Sequence, residues 1–497
     1  MQPSRRYRRY RRCLVSAVVM VALVLAACTP SSATHRSTST PAPPTGKPNI
    51  VFVLTDDLAW NLVQYLPHVV AMQKAGITLS NYYVIDSLCC PSRSAIFTGE
   101  YPHDDGVFTN GGNDGGYDTF NAHGNQPNTF AVALQKSGYQ TGFMGKYLNG
   151  YLPADKPAPG WNEWDVAGNG YPEFNYTLNE NGTQHSYGKD PSDYLTDVIS
   201  AKASSFIDRS AAAGMPFMLE LATFAPHHPS TPAPRDADKF PGLTAPRTAA
   251  FDVQPSGAPA WLKAIPPLTA KNTKQIDDEF RLRVQSVQAV DAMIGHLQQQ
   301  LQDKGLAKNT YIVFSSDNGY HMGEHQLRPG KQTAFDTDIK VPLMVTGPGL
   351  PAGKDLTQMT SSIDLAPTFE GLSGAPVPAT VDGTSLSPLW HGQSDSSGQQ
   401  AVLVEHHGQE KTPNDPDKPT RASGDPPSYE AVRTANALYV QYTDGEREFY
   451  DVAKDPNELT NLAATASAAQ LAPLQQALTA LQNCHNAPTC RAAAQLG

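Results

Sequence analysis

Two short runs limit what this chain can fold into. Asn49-Ile50-Val51-Phe52-Val53-Leu54-Thr55 is an unbroken apolar, β-branched stretch, and Thr310-Tyr311-Ile312-Val313-Phe314-Ser315-Ser316 repeats the pattern far along the chain. A strand with almost no polar position must be covered on both faces, as in a parallel sheet flanked by helices. The first run passes into Asp56-Asp57 and the second into Asp317-Asn318-Gly319. Ligands of open α/β sheets gather beyond the carboxyl ends of the strands. Two such strands side by side would bring three carboxylates and an amide together, and an all-oxygen set suits a hard cation, Ca²⁺ or Mg²⁺, rather than zinc. Taken singly, each acidic end also fits a turn or a helix cap.

Between these runs Ile276, Phe280, Val284, Val287, Ile294, Leu297 and Leu301 fall at helical spacing. They predict a helix from Gln275 to Asp303 with Gly305 as its stop. Pro216 to Thr223 reads as another strand, and Val341 to Thr346 opens a further βα unit. The expected class is α/β, a mostly parallel sheet flanked by helices. From His227 to Leu268, with an isolated Trp261, and again from Gln409 to Ser428, the chain is irregular and proline-rich. Such stretches form a cleft rim or plain surface insertions. Tyr117, in a Gly-Asn-Asp-rich loop, is placed either to stack on a sugar or to face solvent.

The start of the chain has another logic. Arg5 to Arg12 is strongly basic and Leu14 to Ala27 is apolar but too short for a stable membrane span, which marks an export signal. Leu25-Ala26-Ala27-Cys28 resembles the bacterial lipobox, so Cys28 is expected to carry lipid on an exported, outward-facing, membrane-anchored lipoprotein; an ordinary secretory leader is the alternative. Thr29 to Lys47 is Ser, Thr and Pro and reads as a tether. The net charge of −10, with no basic run outside the leader, argues against nucleic acid as a partner. It also gives no global attraction for an anion, so anion affinity must be built locally.

Of six cysteines, Cys13 lies in the leader, and Cys484 and Cys490 stand close enough to close a small disulfide ring. Cys89 and Cys90 have no evident partners. In an exported chain such a pair is either an inert buried thiol pair or a chemical site. They stand in Leu88-Cys89-Cys90-Pro91-Ser92-Arg93-Ser94-Ala95-Ile96-Phe97-Thr98-Gly99. This Cys-x-Pro-x-Arg pattern with Thr-Gly resembles the signature of type I sulfatases, whose cysteine is oxidised after translation to formylglycine. Gly145-Lys146, Ala225-Pro226-His227, Ser316-Asp317-Asn318-Gly319, Lys331, Glu448-Phe449-Tyr450-Asp451, Asp455-Pro456 and Asn461-Leu462 follow in the order and spacing of that family. Cys-Cys-Pro-Ser-Arg, Gly-Lys-Tyr-Leu-Asn and Asp-Asn-Gly-Tyr-His are similar to its N-acetylglucosamine-6-sulfatase and extracellular heparan endosulfatase branch.

The resemblance implies an alkaline-phosphatase-like α/β domain over residues 48–395 and a smaller C-terminal α+β domain with an antiparallel sheet over 396–497, after a signal peptide (1–27) and tether (28–47). It implies hydrolysis of sulfate monoesters of a small molecule or glycan, with sulfated carbohydrates as the expected substrates. Asp56, Asp57, Asp317 and Asn318 would bind Ca²⁺, in preference to Mg²⁺, together with the modified Cys89. Arg93 would hold the aldehyde hydrate, one of whose hydroxyls attacks sulfur while the other later expels sulfate. Lys146 and Lys331 would grip sulfate oxygens. His227, with His228 as its alternative, would bind sulfate and protonate the leaving oxygen. His321 and His325, near the metal ligands in sequence, would contact leaving group or sugar. A formylglycine-generating enzyme would have to act before folding. One position departs from the family: Leu148 stands where many members carry a histidine that deprotonates the second hydroxyl, and Asn149 follows. The alternatives are a phosphonate or phosphate ester hydrolase on the same scaffold and a lipoprotein that binds sulfated glycans without turnover.

Overall fold

A computed structural model describes residues 46–393, 399–408 and 415–496. The leader, Cys28 and the tether up to residue 45 lie outside the described residues, as does part of the second proline-rich stretch, 409–414. Among the described residues no helix is long and apolar enough to cross a membrane.

Ten strands form one sheet. They are β1 (Asn49–Thr55), β2 (Ile77–Leu79), β3 (Gln140–Lys146), β4 (Glu163–Ala167), β5 (Thr177–Glu180), β6 (Thr183–Ser186), β7 (Phe217–Ala222), β8 (Thr310–Ser316), β9 (Leu343–Thr346) and β10 (Lys354–Leu356). Their spatial order is β10-β2-β9-β8-β1-β7-β3-β4-β5-β6. The two acid-ended strands are neighbours and parallel, with Thr55 opposite Ser316. β1 is buried along its whole length: Ile50, Phe52 and Leu54 enter one apolar layer, Val51 and Val53 the other. β8 divides its side chains likewise, Tyr311 and Val313 against Ile312 and Phe314. Each large apolar side chain buried this way contributes about 1.5–3 kcal/mol, which fixes both strands in the sheet centre.

Four helices matter most for the site: α1 (Cys89–Thr98), α2 (Leu195–Ala213), α3 (Ala270–Asp303) and α4 (Ala468–Leu481). The helix expected from Gln275 is α3, which begins at Ala270. Thr269 and Asn272 form a capping box there, side chain to backbone in both directions, one turn before the apolar stripe begins at Ile276. The stripe lies on the layer that receives Val51 and Val53. The strand expected from Val341 exists as β9, but it runs antiparallel to β8, with Leu343 opposite Ser315. The βα reading of this stretch is therefore corrected: an apolar run carries no direction, and antiparallel neighbours need no crossover helix.

The C-terminal strands β11 (Ala401–His406), β12 (Tyr429–Thr434), β13 (Ala437–Tyr442) and β14 (Arg447–Asp451) make a separate antiparallel sheet in that order. Its Val404, Ala431 and Val440 join the layer that holds Phe52, whereas Leu403, Val432 and Phe449 pack with α4. The expected disulfide joins Cys484 and Cys490, with Cα atoms 4.8 Å apart. Ala95 of α1 packs into the cluster shared by this sheet and α4, so the cysteine helix is gripped from both sides.

Glycine is required just before Lys146. Gly145 has φ +111°, and a Cβ there would lie 1.9 Å from the Ala222 carbonyl oxygen. The close approach of β3 to β7 thus aims the last residue of β3.

His103 ties the segment after α1 to the C-terminal sheet. Its Nδ1 lies 2.9 Å from Glu405 Oε2 and its Nε2 2.9 Å from the Cys484 carbonyl. Burial alone would lower its pKa, but the Glu405 carboxylate raises it to about 9 from 6.5. A raised histidine contributes its full stabilisation below about pH 6.5 and loses it as pH rises through 9. Thermal unfolding followed from pH 6.5 to 9.5 is expected to show a falling midpoint over this window, and His103→Gln is expected to flatten it.

Candidate active site

The carboxyl ends of β1, β8, β7 and β3 meet over the first turns of α1, and the side chains there are almost entirely out of water. Asp317 N–H donates to the Thr55 carbonyl at 3.0 Å, continuing the β1–β8 ladder one residue beyond the strands. Asp57 takes a left-handed turn, φ +67°, and its N–H donates to Asp317 Oδ1 at 3.1 Å. Asn318 Nδ2 donates to Asp57 Oδ1 at 2.7 Å. Asp56, Asp57, Cys89 and Asp317 each offer one ligand atom, and these four atoms all lie within 4.8 Å of one another.

The cations interlock with this set. Arg93 donates from Nε to Asp317 Oδ2 at 2.8 Å and from Nη1 to the Lys146 carbonyl at 2.9 Å. Lys146 Nζ lies 2.6 Å from Asp56 Oδ2, and Lys331 Nζ 2.6 Å from Asp57 Oδ1 and 2.9 Å from the Cys89 sulfur. Burial works against ionisation of Asp56, but Lys146, His227, Arg93 and Lys331 together hold its carboxyl well below the usual range. Burial raises Asp317 to about 6 in spite of Arg93. Burial, Asp417 and Asp56 push the Cys89 thiol up, so an unmodified sulfur here keeps its proton.

His227 Nδ1 lies 2.7 Å from the His228 carbonyl and Nε2 2.8 Å from Asp417 Oδ1. Both neighbours are acceptors, so the ring holds both protons. Burial lowers its pKa, but Asp417, Asp56 and Asp57 outweigh burial and raise it. Tyr171 lies against the pair, 4.6 Å from the His227 ring and 5.0 Å from Lys146 Nζ.

The residues present fit a divalent metal that seeks oxygen. Asn318 Oδ1 is buried and accepts no hydrogen bond. An orphaned acceptor costs about 1–3 kcal/mol, and beside three carboxylates a cation is the partner that satisfies it.

The candidates named from sequence separate into two groups. Asp56, Asp57, Cys89, Arg93, Lys146, His227, Asp317, Asn318 and Lys331 converge, and exposed His228 lines the cleft above them. His321 and His325 do not reach it, and the expectation of substrate contact is corrected for both. His321 is fully buried and occupied by Asp338 at 2.9 Å and the Ser423 carbonyl at 3.1 Å. His325 stacks on Phe335, binds the Asn457 carbonyl at 3.0 Å, and burial lowers it to about 4. Leu148 is core, and Tyr117 packs edge-on against Tyr147 and Tyr151. Asp417, Tyr171 and Asn110 were not singled out by sequence. None carries a spacing signal, and Asp417 sits in a Pro-Asp-Lys-Pro string that looks like solvated surface. A cavity of about 650 Å³ lies at the opposite end of the sheet beside Thr310 and Thr346, and Lys308 alone brings a charge to its lining among the described residues; it offers no comparable chemistry.

A family model described as Sulfatase matches residues 48–375, and one described as N-sulphoglucosamine sulphohydrolase, C-terminal, matches 323–484. The chain belongs to the sulfatase family. This sulfatase is 35% identical to human N-acetylglucosamine-6-sulfatase over 90% of the chain and 86% of the human protein. Among solved structures, a protein in complex with its substrate D-glucosamine-2-N,6-O-disulfate superposes at TM-score 0.73 with 23% identity, covering 88% of the sulfatase and 97% of that chain. The phosphonate monoester hydrolase of Agrobacterium radiobacter does so at 0.66 with 19% identity, covering 88% and 96%. Both likenesses concern the fold, the alkaline-phosphatase-like arrangement of a mostly parallel sheet with a separate antiparallel one. Members of the family generally use formylglycine and a divalent metal, for which the acidic cluster is suited.

A ligand that binds only the folded sulfatase stabilises it, by about 2.7 kcal/mol at a hundred times its dissociation constant. Added Ca²⁺ is therefore expected to raise the melting midpoint. Asp317→Ala is expected to erase that rise and to cost a further 3–5 kcal/mol or so by leaving Arg93 buried without its partner. An undiminished Ca²⁺ effect in the variant would remove Asp317 from the ligand set.

Proposed function

We propose that this sulfatase releases inorganic sulfate from sulfate monoesters of carbohydrates, with formylglycine derived from Cys89 and Ca²⁺ held by Asp56, Asp57, Asp317 and Asn318. The setting of Cys89 carries the reading. Its sulfur lies 2.9 Å from Lys331 Nζ and 3.1 Å from Asp56 Oδ1, and within 4.8 Å of a His227 nitrogen. A thiol kept protonated among these charges is a poor nucleophile; a divalent cation held by Asp56, Asp57, Asp317 and Asn318 would favour ionisation of a hydroxyl at position 89 near neutral pH and so supply what the thiol cannot. The sugar class is supported by the 35% identity to human N-acetylglucosamine-6-sulfatase.

The chain's own residues have separable tasks. Lys146 and Lys331 bind the non-bridging sulfate oxygens and offset their charge as the ester bond breaks. Arg93, anchored by Asp317 and the Lys146 carbonyl, fixes the side chain at position 89. His227, protonated at both nitrogens, gives the Nε2 proton to the departing alcohol oxygen. The neutral ring then accepts a proton in the second half of the cycle, a task that Leu148 cannot perform. His228, at the rim, contacts the leaving group.

Two features of biogenesis belong to the same reading. The basic and apolar leader supports export and a lipid anchor at Cys28, facing outward from a bacterial membrane. Cys89 is 0% exposed, so a formylglycine-generating enzyme must meet it before folding is complete.

The mass of the proteolytic peptide spanning Cys89 and Cys90, from the native host, is expected to show an aldehyde in place of the first thiol. Cys89→Ala is expected to lower turnover by more than about 10³-fold, the scale of losing a nucleophile. Two intact thiols in active enzyme would sink the proposal. Because the scaffold is shared with a phosphonate monoester hydrolase, matched aryl sulfate and aryl phosphonate esters decide the substrate atom. Faster turnover is expected on the sulfate, and a preference for the phosphonate would reverse the assignment.

A further inference from the structure

Asp417 sits on donors that an anionic ester needs. Its Oδ1 accepts from His227 Nε2 at 2.8 Å and Lys331 Nζ at 2.8 Å. Its Oδ2 accepts from Asn110 Nδ2 at 2.8 Å and lies 3.6 Å from the Cys89 sulfur. The side chain is 3% exposed. A carboxylate and a sulfate cannot hold the same N–H groups together, because like charges in contact repel strongly where little water separates them. The backbone here is held independently of the carboxylate: Gln332 Nε2 donates to the Asp417 carbonyl at 3.0 Å, and Asp417 N–H donates to Asp415 Oδ1 at 2.9 Å. Turning the side chain out of the cradle therefore leaves its carboxylate in the cleft, near His228 and Lys418.

We propose that Asp417 is a specificity-determining residue, an internal anion that the substrate first displaces and then uses. Inorganic sulfate or a small aryl sulfate takes the donors of His227 and Lys331 and offers Asp417 nothing in return. A sugar sulfate brings hydroxyl or N–H groups beside its ester, and these donate to the displaced carboxylate. Asp417 thereby weakens binding of the sulfate product and of simple esters relative to polyhydroxylated ones. The inference rests on the reading of Lys331 and His227 as sulfate-binding groups.

The test compares the wild type with Asp417→Asn and Asp417→Ala, each carrying the aldehyde by mass and folded by its melting profile. Calorimetric titration with inorganic sulfate is combined with KM and kcat for 4-nitrophenyl sulfate and glucosamine 6-sulfate. Both variants are expected to bind sulfate about fivefold more tightly, as when a competing occupant is removed. The aryl-sulfate KM is expected to fall with it while kcat holds. For glucosamine 6-sulfate, kcat/KM is expected to drop about tenfold through loss of a charged hydrogen bond. Sulfate affinity unchanged or weaker in both variants overturns the proposal, and so does an equal change on the two esters. Lys331→Ala isolates the underlying assumption: if wild type and this variant bind sulfate alike, the cradle is not the sulfate site, and the failure lies there rather than with Asp417.

Discussion

Beyond the carboxyl ends of β1 and β8 the charges of Asp56, Asp57, Arg93, Lys146, Asp317 and Lys331 are removed from water, and the surrounding structure answers that constraint. An unpaired buried ion costs several kcal/mol, so each group at the site is held by a partner of opposite sign or by backbone dipoles. Asp317 takes Arg93, Asp56 takes Lys146, and Asp57 takes Lys331. A second ring holds the backbone that carries them: the Arg283 guanidinium donates to the carbonyls of Asp57 and Pro226. The central strands are packed on both faces, so these ends cannot drift apart. The same packing lets an acidic chain gather the cationic groups of Arg93, Lys146, Lys331 and His227 at the place where an anion must bind.

Much of this was legible because it depends on local pattern. The two strands announce themselves by composition and their acidic ends by position; that they lie side by side is a supposition at the level of sequence, and the pairing of Thr55 with Ser316 supplies it. The helix between them was found by its stripe; its first residues, before Ile276, lack apolar periodicity and are set by a cap. What stayed hidden depends on tertiary placement. Val341 to Thr346 reads the same in either direction, so the antiparallel run of β9 could not be seen. Nearness in sequence suggested His321 and His325, but the chain turns after Asn318 and buries both rings against Asp338 and Phe335. Asp417 is the opposite case: more than three hundred residues from Cys89 in sequence, as the separation of 328 records, it arrives within 3.6 Å of the sulfur. No window on the chain could have found it.

The glycine before Lys146 shows how a site is aimed by exclusion. Where β3 touches the Ala222 carbonyl there is no room for a methyl group. The lysine that follows therefore leaves the strand at an angle set by backbone contact, and its ammonium reaches Asp56. Precision of this kind comes from rigid elements rather than from the charged groups themselves.

The cysteine helix is completed by parts of the chain made long after it. Ala95 packs with Leu403, Val432 and Phe449 of the C-terminal sheet and with α4. Synthesis runs from one end to the other at roughly 5–20 residues per second, so the roughly 300 residues between α1 and β11 represent about 15 s to a minute. During that interval α1 lacks one of its walls. The fold thus contains its own delay: the segment that must be buried in the finished protein stays open on one side until the last strands emerge.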